Sequence, residues 1–123
     1  MHPMLLYIAA GITGLWGIAH LLATQGVVKG FSRLSDDNSH IIRMEWIVEG
    51  VALLSIASFV TVAALIEPAT VLASAVYTVS IATLLVLAVV SLFTGFRVGF
   101  TAFKLCPVIF AGAAALIAWG AWF

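Results

Sequence analysis

Apolar positions in this chain fall into four long blocks, and inside each block the apolar run is continuous rather than alternating. The blocks cover roughly residues 4–24, 40–66, 69–94 and 105–123. Each holds about 20 residues or more, enough to cross a hydrocarbon core of ~30 Å as a helix. A membrane barrel would instead show short segments of alternating polarity. The pattern predicts an all-α integral membrane protein, an antiparallel four-transmembrane-helix bundle that forms a single domain over 1–123. Pro68 closes the second block, because a proline pushes its predecessor out of the α region. Pro107 is expected in the first turn of the fourth, where a missing N–H costs little.

The polar stretches between blocks are unequal. Glu67-Pro68 makes a very tight connection between the second and third. Residues 25–39 separate the first two blocks, and Val27-Val-Lys-Gly-Phe-Ser-Arg-Leu34 within them mixes apolar and basic residues, a pattern suited to a short segment in the headgroup plane. Ser35-Asp-Asp-Asn-Ser39 follows and supplies candidate N-caps for the second helix.

Composition sharpens the class. The chain is 64% hydrophobic and 8% charged, with a mean hydropathy of +1.25. A soluble domain is nearer a quarter charged. A net charge of zero leaves no basic footprint for nucleic acid. The single cysteine, Cys106, excludes an intramolecular disulfide and a C-x-x-C redox motif. Met1-His-Pro lacks the positive region of a cleavable signal peptide, so the first block is expected to stay as a span.

Charge also predicts orientation. Lys29, Arg33 and Arg43 lie in or beside the first connection, and Arg97 and Lys104 in or beside the third. Up-and-down threading places these five residues on one side, with only Glu67 on the other. The positive-inside rule then makes 25–39 and 95–104 cytoplasmic and both termini external, in a bacterial inner membrane. Trp119 and Trp122 are expected at the outer interface.

Candidate chemistry sits in Arg43-Met-Glu-Trp-Ile-Val-Glu-Gly50. A carboxylate inside a span costs on the order of 2–3 kcal/mol on insertion scales and usually faces a bundle interior or a water-filled cavity. Glu45 and Glu49 share one helix face, four residues apart. His20, about one turn from the end of the first block, is expected at the level of Glu45, with Glu49 one turn deeper on the same face. A histidine beside a desolvated glutamate suits proton transfer. The alternative for Glu45 is an ion pair with Arg43, Arg97 or Lys104 that ties helices together. His20 has a structural alternative too, as a polar residue bonded to a neighbouring helix. Trp16 and Trp46 either wall an aromatic pocket or anchor at the interface. His20, Glu45, Glu49, Trp16, Trp46, Arg97 and Lys104 therefore form the candidate ligand-binding set, with Glu49, His20 and Glu45 as the candidate catalytic residues.

No metal site is expected. One histidine and two carboxylates fall short of the paired Glu-x-x-His motifs of a di-iron bundle, and His2 and His40 lie near opposite membrane faces. No cofactor is specified by the sequence. Cys106 reads as a small buried hydrophobe, with a reactive or palmitoylated thiol as the alternative. Gly11, Gly14 and Gly17, and the run Ala111-Gly-Ala-Ala-Ala115, give smooth surfaces for close helix contact.

Trp16-Gly-Ile-Ala-His20, Val27-Val-Lys-Gly-Phe31, Asp37-Asn38 and Met44-Glu-Trp-Ile-Val-Glu-Gly50 together resemble a group of small bacterial four-span membrane proteins. A glutamate entering the second span before a glycine also resembles the broader DoxX-like class, some members of which are linked to quinone and sulfur redox chemistry. The resemblance covers the first half of the chain best. It implies a four-helix membrane fold and transfers no catalytic assignment to individual residues.

Three functions follow in order. The first is a membrane-embedded protein that binds a lipophilic ligand, a lipid or a quinone, or serves as an accessory subunit of a larger membrane complex or homo-oligomer. The second is an enzyme that uses Glu49 and His20 on a lipid-soluble substrate, with Arg97 or Lys104 holding an anionic head. The third is a proton-coupled small-solute transporter, disfavoured because the outer half offers only Thr61, Ser74 and Thr78 to continue a polar pathway.

Overall fold

A computed structural model describes residues 1–123 as four helices with no strand. They are α1 (Pro3–Gly30), α2 (Asp36–Ile66), α3 (Val71–Gly95) and α4 (Thr101–Trp122). Each is long and apolar enough to cross a membrane.

The helices overrun the apolar blocks at the end where the basic residues lie. α1 and α2 have 28 and 31 residues, about 42 and 46 Å at ~1.5 Å per residue. Hydropathy marks where lipid stops, whereas backbone hydrogen bonding continues into the polar flank until a cap intervenes. Val27–Gly30 accordingly extend α1 instead of forming a separate segment in the headgroup plane, and Val28 is buried. The chain reverses over residues 31–35, where Arg33 takes a left-handed backbone with φ of 65°. Ser35 then caps α2, its Oγ accepting from Asn38 N at 3.2 Å. Asp36 and Asp37 follow at the positive end of the helix dipole. Thr70 caps α3 in the same way, accepting from Ala73 N at 3.1 Å. α4 starts at Thr101, so Pro107 lies inside the helix rather than in its first turn. Its missing N–H releases the carbonyl of Phe103 from the helical ladder.

α1 lies between α2 and α4, α3 packs chiefly on α4, and the α2–α3 seam is the thinnest of the four. His2 N donates to Gly120 O at 2.8 Å and joins the two termini at one end. Lys29, Arg33, Arg43, Arg97 and Lys104 all belong to the opposite, basic end. The core occupies the half nearer the termini, where Leu6, Leu53, Val60, Tyr77, Phe110 and Ile117 are fully enclosed. Toward the basic end packing opens into cavities, and the ionisable residues of the spans lie there.

Candidate functional site

Helix contact decides which side chains meet. A Cβ placed on Gly17 would lie 2.9 Å from the carbonyl oxygen of Gly50, and one on Gly50 would lie 3.0 Å from that of Gly17. The α1 and α2 backbones therefore touch just below the polar residues. His20, one turn further toward the basic end on α1, has its Nε2 3.5 Å from Oε1 of Glu49, the neighbour of Gly50 on α2. His20 is buried at 4% exposure, whereas the Glu49 side chain is about one-third exposed, at 35%. The lengthened helices put both residues deeper from the helix ends than expected, and the partner level with His20 is Glu49 rather than Glu45. His20 is ten residues before the end of α1 and Glu49 thirteen beyond the start of α2.

The histidine's other nitrogen is tied to its own helix. His20 Nδ1 lies 2.9 Å from the carbonyl oxygen of Trp16. A carbonyl only accepts, so Nδ1 carries a proton. Nε2 is then the nitrogen that faces Glu49, at ion-pair distance.

Aromatic rings hold the imidazole. Trp46 stacks on it with centroids 4.9 Å apart and planes at 26°. Trp16 meets it edge-on at 5.8 Å, and Phe103 of α4 meets Trp46 edge-on at 5.5 Å. Trp16 Nε1 is buried without a hydrogen-bond partner. It borders a small cavity of about 80 Å³ shared with His20, Trp46, Phe103 and Cys106.

A larger cavity of about 410 Å³ lies beyond the pair, in the α2–α3 seam. His20, Glu45, Trp46 and Glu49 line one side. α3 supplies Leu87, Val90, Ser91 and Thr94, and α4 supplies Phe103 and Cys106. Val48 and Val90 at its mouth are exposed, so it opens sideways toward the surroundings of the bundle. Glu45, exposed, joins this cavity and has no cation within 4.0 Å, which removes the helix-tying ion pair with Arg43, Arg97 or Lys104. Arg97 and Lys104 sit at the same end of the molecule outside the lining of this cavity. Cys106 is free and 7% exposed, its thiol 3.8 Å from the carbonyl of Ala102.

The α3 wall was absent from the sequence expectation. Ser91 and Thr94 are two of six Ser and Thr residues scattered along the most apolar span, and Thr94 spends its hydroxyl on the carbonyl of Val90 at 2.8 Å. Phe103 carried a weak signal only through its place near Pro107. Comparison with protein-family models, curated proteins and solved structures finds no match to this chain, so the chemistry of the site rests on its own residues.

Proposed function

We propose that this chain is a membrane-embedded binding protein for a lipophilic ligand with a polar head, a lipid or a quinone, held in the cavity beside His20 and Glu49. The observation that carries this reading is the form of the cavity. Its volume of about 410 Å³ falls within the ~300–1,000 Å³ of small-molecule sites. Its walls are mainly apolar, His20 is its buried polar group, and exposed Val48 and Val90 open it sideways along the thinnest seam. A ligand dissolved in the bilayer enters such a site without crossing water. The basic end is read as cytoplasmic, which puts the site in the inner half of the bilayer of a bacterial inner membrane. In this reading the protein acts alone or as an accessory subunit of a larger membrane assembly.

The His20–Glu49 contact favours a second reading, a membrane-embedded enzyme. His20 and Glu49 would exchange a proton with a lipid-soluble substrate in the cavity, one acting as acid and the other as base. Glu49→Gln separates the two readings from an empty site, because glutamine keeps the shape and removes the carboxylate. Solvent extraction of the purified protein is expected to release a bound lipophile from the wild type and much less from Glu49→Gln. The same ligand should shield Cys106 from N-ethylmaleimide. Equal Cys106 labelling in extracted and unextracted wild type, with no lipophile released, would refute binding. Chemical conversion of that lipophile by the wild type alone would favour the enzyme.

A further inference from the structure

A second concavity, of about 480 Å³, lies on the other side of Phe103 and does not depend on the His20–Glu49 reading. The α1 side contributes Gly26, Val27, Gly30 and its C-cap Phe31, and the facing wall is Val98, Phe100 and Phe103. Every residue that lines it is apolar or glycine. The groove occupies the basic end, where the last turns of α1 meet the α3–α4 connection.

The charge around it is one-sided. Lys29 and Arg33 flank its α1 wall, and Arg97 and Lys104 flank Val98 and Phe103 on the opposite wall. All four are exposed. No acidic residue occurs in 23–35 or 96–110, the segments that build the groove. The acidic residues of this half, Asp36, Asp37, Glu45 and Glu49, all belong to α2. An apolar trough built by segments that carry basic residues and no acidic ones matches a molecule with a hydrocarbon body and an anionic head.

We propose that this groove is a binding site for an anionic phospholipid, with an acyl chain against Val27, Phe31 and Phe100 and the phosphate among Lys29, Arg33, Arg97 and Lys104. Basic residues next to a membrane contribute to anionic-lipid attraction individually, and basic pockets between spans select anionic heads. Gly26 and Gly30 keep the α1 wall open, since a Cβ at either would meet nothing within 4 Å.

The test offers the purified full chain, in neutral detergent, palmitoyl-oleoyl phosphatidylglycerol or phosphatidylcholine with the same chains, and counts retained lipid by native mass spectrometry. Phosphatidylglycerol is expected to be retained in preference. Lys29→Gln, Arg97→Gln and Lys104→Gln should each weaken that retention by about fivefold, and Arg43→Gln, on α2, should leave it unchanged. Gly26→Leu, which fills the groove at a position favourable to helix, should remove it. Equal retention of the two lipids, or an unaltered preference in the Arg97→Gln/Lys104→Gln double variant, would overturn the proposal. Displacement of phosphatidylglycerol by an equal concentration of inorganic phosphate would reduce the site to a free-anion site and overturn it as well.

Discussion

Gly17 and Gly50 touch backbone to backbone, and their contact sets the distance at which His20 reaches Glu49. His20 is one turn from Gly17 on α1, and Glu49 is the neighbour of Gly50 on α2. Small residues allow such approach where lipid supplies no hydrophobic drive between helices. The polar pair is thus a consequence of glycine placement as much as of the charged residues themselves.

Gly17→Ala is the direct test of that dependence. Its Cβ would meet the Gly50 carbonyl at 2.9 Å and Leu53 Cβ at 3.1 Å. A backbone carbonyl in a helix has no room to retreat, so the helices must part, at a cost of ~1–3 kcal/mol. Unfolding in sodium dodecyl sulfate should show that loss, and the ligand released on extraction should fall with it. Gly11 lies on the same three-residue series but faces open space. Gly11→Ala should therefore change stability by less than ~1 kcal/mol, in the favourable direction if at all. Equal stability of the two variants would separate the polar pair from the glycine contact.

The α3–α4 contact depends on a second glycine. Pro107 frees the carbonyl of Phe103, and a Cβ at Gly95 would stand 2.8 Å from that oxygen. The oxygen that Pro107 releases from the ladder thus lies where α3 has no side chain. Gly95→Ala is expected to lower stability by ~1–3 kcal/mol and to loosen the wall carrying Phe103, seen as faster reaction of Cys106 with N-ethylmaleimide. Pro107→Ala, which restores the N–H, should leave that reaction slow. An unchanged Cys106 rate in Gly95→Ala would show that the contact does not hold this wall.

Much of this arrangement is legible in the chain. Four apolar blocks give four helices, and the cost of burying Glu49 points to a partner inside the bundle, which His20 supplies. Helix ends are less legible, because Val27–Gly30 and Asp36–Ser39 are polar enough to leave lipid and still regular enough to stay helical. The seam is less legible again. Which faces of α2 and α3 fail to pack depends on the α1–α4 contact between them, and no residue of α3 advertises it. Leu87 and Val90 look the same in sequence whether they face lipid, a neighbour or a cavity.

The direction of the bundle in the membrane gives the remaining prediction. All five basic residues lie at one end, and a cytoplasmic bias of Lys and Arg sets the orientation of small multi-span proteins. Gly99 and Ala69 sample opposite ends, in the 96–100 and 67–70 connections, and both are exposed. A Cβ at Gly99 meets nothing within 4 Å, so cysteine is tolerated there. In a Cys106→Ser background, a membrane-impermeant maleimide added to intact cells should label Ala69→Cys and spare Gly99→Cys until the membrane is opened. Labelling of Gly99→Cys alone in intact cells would invert the bundle and place the His20–Glu49 cavity in the outer half of the bilayer. Neutralising Lys29, Arg33, Arg97 and Lys104 together should then shift the normal pattern toward mixed labelling, because the bias that fixes direction would rest on Arg43 alone.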